Sequence, residues 1–173
     1  EATDDGMELV RGIGEGGTTT ICTGNAVRQD HDLKAVGIDL DAEFLELARE
    51  IPIHSDHQSM WHTPTRDAFS VFRELGLNPQ PTPKMVPRER CTGCGRCVLG
   101  CPRGAKWDSR EFLRHAVDSG AELESGNRVR AVVVEDGRAI GVAATHRGRT
   151  LVVRGDLVIL AAGGLGTPSI LQR

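Results

Sequence analysis

The chain has 173 residues, 39% of them hydrophobic and 26% charged, which suits one ordinary soluble domain. Its net charge is only −3, no apolar run reaches the roughly 18 residues of a membrane span, and no secretory-leader pattern is present. Five cysteines, an odd number, argue against a complete secreted disulfide framework and favour a reducing, cytoplasmic compartment.

The first informative stretch runs from Leu9 to Arg28, where Gly12, Gly14, Gly16, Gly17 and Gly24 interleave with Thr18, Thr19, Thr20 and Thr23. Such a loop can press backbone N–H groups and hydroxyls against a phosphate-bearing ligand. No β-branched run precedes it, so it lacks the context of a dinucleotide fingerprint, and a structural turn explains it equally well. Next, Ala42–Ile51 places Phe44, Leu45, Ala48 and Ile51 on one helical face behind Asp41 as N-cap. His54, His57 and His62 follow in a polar stretch without metal-ligand spacing and are read as solvated loop histidines. Thr65 opens a second helix, Arg66–Leu75, which Gly76 closes, and prolines 79, 81 and 83 punctuate an extended connector.

The connector leads into CTGCGRCVLGCPRGAK, residues 91–106, which holds four of the five cysteines. Buried cysteines used as small hydrophobes scatter with the secondary-structure period, so this crowding points to chemistry. Cys91, Cys94, Cys97 and Cys101 are spaced two, two and three residues apart with Pro102 behind them, the run that holds an iron-sulfur cluster in bacterial ferredoxins. Gly93, Gly95 and Gly100 suit a loop wrapped around such a cluster. The segment from Lys84 to Arg114 carries net +5 against −8 for the remainder, a frame that stabilises an anionic centre but equally describes a solvated basic face. Zinc, whose knuckles separate their cysteine pairs more widely, and a metal-free loop are the alternatives.

Beyond the loop, Asp108 or Ser109 caps a helix from Arg110 to Ser119, ended by Gly120. The stretches 128–135 and 138–146 flank Asp136-Gly137, a two-residue hairpin signal. A third strand at 150–153 leads to Leu157–Ala162, an apolar run read as a strand buried on both faces. Gly163, Gly164 and Gly166 follow, with Thr167 as N-cap and Pro168 at the first position of a helix. A buried strand emptying into glycines at a helix start is where α/β sheets bind nucleotides.

Three of these segments, in order, resemble the glucose-methanol-choline (GMC) oxidoreductases, FAD enzymes that oxidise CH–OH groups. Gly16-Gly17-Thr18-Thr19 through Arg28 is similar to the family's segment against the flavin and pyrophosphate. Asn127-Arg128-Val129 resembles the strand that meets the adenine, and 160–171 resembles the second family signature near the ADP moiety. The resemblance, from Leu9 to Arg173, implies an incomplete Rossmann-like α/β FAD-binding domain, with residues 84–107 forming a cysteine-rich loop within it. It implies cofactor contacts at Gly14, Gly16, Gly17, Thr18, Thr19, Asn25, Val129, Ala162 and Gly163. Cys22 stands where the family has asparagine, and Ile21 where some members carry a flavin-linked histidine, so FAD is expected to bind noncovalently.

The amino-terminal GxGxxG unit and the carboxy-terminal catalytic histidine motif are absent, so an internal fragment is expected and no catalytic residue is assigned. All six histidines are read as surface or structural. The resemblance implies an alcohol-type small-molecule substrate and hydride transfer to flavin, with an iron-sulfur relay to an electron-acceptor protein and no nucleic-acid partner. All four cysteines, three of them, or Cys22 in addition can supply the cluster's ligands. The competing function is a ferredoxin-like electron-transfer module with no substrate of its own.

Overall fold

A computed structural model describes residues 6–8 and 10–172. Leu9 and Arg173, the ends of the family resemblance, lie outside the described residues. The chain falls into two compact units, Glu1–Gly120 and Ala121–Arg173.

In the first unit the glycine-threonine stretch folds as a 3₁₀ turn, Gly17–Ile21, and is followed by helices α1 (His31–Ala35) and α2 (Asp41–Glu50). Arg28 orders this region. Its guanidinium pairs with both Asp30 and Asp41 and lies 4.2 Å from the Phe44 ring centroid, a cation-π contact. Hydrogen bonding to Arg28 holds the Asp30 carboxyl below its ordinary range, and Lys34 and then Arg28 do the same for Asp41. Asp41 therefore serves as the first residue of α2 and as an ion-pair hub, while Leu40 occupies the N-cap.

Helix α3 (Thr63–Glu74) begins three residues earlier than the sequence implies, because Pro64 is tolerated in the first helical turn. Gly76, at φ +74°, ends it. Strands β1 (Ile53–His54) and β2 (Lys84–Met85) pair antiparallel. Residues 24–26 run along the other edge of β2, with Met85 N–H donating to Gly24 O at 2.7 Å and Ala26 N–H to Pro83 O at 2.8 Å. The proline connector thereby carries the chain from α3 into a small ladder that immediately precedes the cysteine loop. Helix α4 (Arg110–Asp118) follows and closes at Gly120.

The second unit is a three-stranded antiparallel sheet, β3 (Arg128–Glu135), β4 (Arg138–His146) and β5 (Arg149–Arg154), followed by α5 (Gly163–Leu171), which packs on β3. Asp136 and Gly137 both take positive φ, +50° and +75°, the type I′ geometry the sequence requires. Two register shifts interrupt β3, one of them between Val129 and Ala131. Ala144 on the central strand is 2% exposed and anchors the sheet.

Two expectations are corrected here. Leu157–Ala162 forms no strand: Leu157 and Ile159 are each 78% exposed and have no ladder partner among the described residues. An apolar run becomes a buried strand only when neighbours pair with its backbone and cover its faces. Likewise α5 starts at Gly163 and not after Thr167, so Pro168 lies inside the helix and Thr167 Oγ1 accepts the N–H of Ala162 at 3.0 Å.

The close approach of β4 and β5 at Gly141 yields a test. A Cβ there would sit 2.2 Å from the Val153 carbonyl oxygen, so Gly141→Ala is expected to destabilise the chain by about 2–3 kcal/mol, measurable by urea unfolding.

Candidate functional site

The glycine-threonine segment is shaped by its own side chains and by residues immediately after the cysteine loop. Thr19 and Thr20 hydroxyls donate to the carbonyls of Gly16 and Gly17 at 2.6 and 2.8 Å, and Thr18 Oγ1 accepts the Gly12 N–H at 3.3 Å. Gly12 lies so close to the following turn that a Cβ would meet Gly17 O at 2.2 Å. Gly14 and Gly17, by contrast, have positive φ and open space over the Cα, where an incoming group can approach the backbone.

Lys106 is the central contact. Its side chain is buried, and Nζ donates to the carbonyls of Thr19 (2.8 Å), Cys22 (2.9 Å) and Thr20 (3.0 Å). Ser109 adds a second tie, its N–H donating to Thr19 Oγ1 at 3.0 Å and its hydroxyl to Gly16 O at 3.1 Å. Ser109 occupies the N-cap position of α4 with its side chain turned to this segment, while Asp108 Oδ1 accepts the Arg110 N–H at 3.2 Å. Asp108 also pairs with the Arg110 guanidinium at 2.7–2.8 Å, which holds its carboxyl below the ordinary range. The sequence offers Asp108 and Ser109 as caps of α4, but the tie of Lys106 and Ser109 to the glycine-threonine segment is not announced there, because nothing local marks a lysine as buried.

The four loop cysteines line one cavity of about 790 Å³. Met60, Trp61, Phe69 and Phe72 form its apolar wall, and Lys84, Arg90, Arg96, Arg103 and Lys106 also reach it. Among the described residues no carboxylate lines it. Among the described residues Arg96 and Arg103 make no ion pair or side-chain hydrogen bond. Gly93 N–H points to Cys91 Sγ at 3.5 Å and Ala105 N–H to Cys101 Sγ at 3.3 Å. Burial raises the Cys97 thiol above its ordinary range. At Cys101 burial acts in the same direction but is outweighed by backbone N–H groups of Lys106, Arg103 and Ala105, which leave the thiol below it.

These features suit a thiolate-bound anionic centre in donor chemistry. The positions are another matter. Among the described residues no three metal-ligating side chains converge as a metal ion requires, and Cys94 is exposed whereas the other three thiols are partly buried. The four-ligand centre implied by the spacing is therefore not assembled in this arrangement. Cys22 does not line the cavity: it caps its own turn, with Sγ donating to Thr19 O at 3.2 Å and accepting the Gly24 N–H at 3.4 Å.

The reading of His54 and His57 as solvated is also corrected. His57 Nδ1 accepts the Trp61 indole N–H at 2.8 Å, which fixes the neutral tautomer whose Nε2–H donates to Thr82 O at 2.8 Å. His54 Nδ1 lies 2.8 Å from Asp56, and both histidines and His62 reach the cavity. Aromatic packing pulled them in: the Trp61 ring lies 5.0 Å from Phe69 and 5.9 Å from His57.

Asn25 is exposed in the bridge to β2, and its Oδ1 accepts the Lys84 ammonium. In the second unit Val129 is half-buried opposite Ala144, and Ala162 and Gly163 form the start of α5. Asn127 Oδ1 and His146 Nδ1, near Val129 along β3 and β4, are shielded and lack hydrogen-bond partners among the described residues.

Comparison with known proteins agrees with the ordered glycine segments. The GMC oxidoreductase family model matches residues 7–173. An uncharacterised GMC-type oxidoreductase of Mycobacterium tuberculosis is 39% identical over 107 residues, covering 61% of this chain and 17% of the relative. Another, from Sinorhizobium fredii, is 35% identical over 89 residues, covering 48% of this chain and 18% of the relative. The matched stretch thus spans less than a fifth of either relative. No solved structure matches the chain. This chain belongs to the GMC oxidoreductase family.

The Asp108–Arg110 pair predicts a pH response. Because the folded-state carboxyl is depressed, its stabilisation is complete above the ordinary aspartate value of about 3.9 and is lost as pH falls through the lower folded value. Asp108→Asn should narrow the stability gap to the parent chain below about pH 4, as followed by denaturant unfolding across pH.

Proposed function

We propose that the chain is part of the FAD-binding domain of an oxidoreductase that oxidises a CH–OH substrate by hydride transfer to flavin. Family membership carries this reading. The local backbone agrees with it: Gly14 and Gly17 leave their Cα faces open, and a side chain at either position would fill the space a cofactor needs. Gly16, Thr18 and Thr19 shape the same turn, and Asn25 follows it on the bridge to β2. In the second unit, Val129 on β3 and Ala162 and Gly163 at the start of α5 are the positions the family resemblance implies as cofactor contacts. When bound, FAD supplies the hydride acceptor. This chain's residues supply the cradle, by threonine hydroxyls that close the loop and glycines that let the cofactor touch backbone.

We propose further that Cys91, Cys94, Cys97 and Cys101 would hold an iron-sulfur centre, which would supply one-electron transfer between flavin and an acceptor protein, once the loop rearranges to bring the four thiols together. Support comes from the spacing of Cys91, Cys94, Cys97 and Cys101, their shared cavity, the N–H groups directed at sulfur, and a lining with cations and no carboxylate. The 3₁₀ turn Cys97–Leu99 packs against the turn Gly17–Ile21, so the loop adjoins the segment assigned to flavin. A ferredoxin-like module without substrate has less in its favour, since a pure carrier needs neither the open glycine cradle nor the second signature.

Two measurements on the full-length protein decide the matter. Anaerobic purification is expected to give flavin absorption together with iron and sulfide. Cys94→Ser should cut the iron content by more than half with flavin retained. Flavin without iron in the parent protein removes the relay and leaves the flavoenzyme, whereas iron without flavin favours the carrier.

A further inference from the structure

Lysine is almost never fully buried without a partner, yet Lys106 is 4% exposed and spends its donors on three neutral main-chain carbonyls. The nearby acid, Asp108, is already paired with Arg110. The site is built to receive the whole side chain. Gly24 is buried with φ +72°, and a Cβ there would press to 3.2 Å from both Cγ and Cδ of the lysine stem. The residues that accept from the ammonium belong to the glycine-threonine segment, and Lys106 itself ends the cysteine loop, five residues after Cys101. Cys101 joins the same connection, because its sulfur accepts the N–H of Ala105 at 3.3 Å. Gly100 approaches from the loop as well, with a Cβ there 3.8 Å from Thr20 O.

We infer that Lys106 is a positioning residue for the cofactor: its ammonium gathers the carbonyls of Thr19, Thr20 and Cys22 to one point and so holds the segment in the shape that receives FAD. The inference rests on the assignment of that segment to FAD. Three carbonyls converging on one buried point repel one another electrostatically, and a cation removes that repulsion. Without it, the segment samples other shapes, and apparent affinity falls by the fraction of time the receptive one is populated. Lys106 lies outside the reacting groups and acts only through the loop it holds.

The test uses the full-length protein, stripped of FAD and titrated with it, as parent, Lys106→Gln and Lys106→Arg. Glutamine keeps one donor group without charge, while arginine keeps the charge. The expected result is at least a tenfold rise in the FAD dissociation constant for the glutamine variant and a change within threefold for arginine. Hydrogen exchange on the FAD-free proteins supplies a second readout: amides from Thr18 to Gly24 should exchange at least tenfold faster in the glutamine variant, with the β3–β4 hairpin unchanged. If Lys106→Gln does not fold, Gly24→Ala, which crowds the lysine stem, carries the same expected loss of affinity.

Unaltered FAD affinity in the glutamine variant overturns the inference, as does an equal loss in both lysine variants, which would make the charge irrelevant. Faster exchange spread through the hairpin also overturns it, by showing a general loss of fold. If the parent binds no FAD, the assignment of the segment fails and the inference with it. The exchange data then still report whether the clamp exists, so the two failures are distinguishable.

Discussion

Three backbone carbonyls, those of Thr19, Thr20 and Cys22, meet at one buried point, and the first unit is arranged around satisfying them. A hydrogen bond to a charged group contributes about 1.5–3 kcal/mol, and a buried acceptor left without a donor costs about 1–3 kcal/mol. One lysine reaching in from more than 80 residues away settles all three. To do so its stem must pass over a residue with no side chain, hence Gly24, and the chain behind it must return to the segment, hence Ser109. Two glycine-rich stretches far apart in sequence are joined in this way into one body.

The closing end of helix α3 and the Asp136-Gly137 hairpin were legible because each depends on local chemistry, a terminal glycine in one case and two left-handed residues in the other, whereas Pro64 hid the helix's true start. The cysteine spacing is equally local, but spacing alone does not bring four thiols together, and among the described residues they do not converge. Lys106 was not legible, since its burial is decided by partners 84 to 87 residues away. The histidines misled because a polar neighbourhood in sequence says nothing of Trp61 and Phe69, which fold over to make a wall. Leu157–Ala162 misled in the opposite way: its composition is that of an interior strand, but composition cannot provide the flanking strands on which such a strand depends.

The two units treat their candidate cofactor residues differently. In the first, side-chain hydroxyls and one ammonium make a loop rigid. In the second, a short antiparallel sheet with a shifted register carries Val129, and among the described residues the shielded Asn127 Oδ1 and His146 Nδ1 have no hydrogen-bond partner. Buried polar atoms are usually paired, so among the described residues the second unit leaves two polar side-chain atoms unsatisfied.

The cysteine loop keeps its shape and its chemistry in separate residues. Gly93, Gly95, Gly100 and Gly104 all lie at φ between +57° and +80°, a conformation that side chains resist, whereas the cysteines between them are free of that demand. The path of the chain is thus written in glycine and the reactivity in sulfur. A lineage that replaced the thiols one by one would lose the sulfur chemistry yet keep the loop, and with it the lysine at its end. Relatives retaining the glycines and the lysine but not the cysteines would be the signature of such a history, and a chain that lost the glycines first would have no intermediate to pass through.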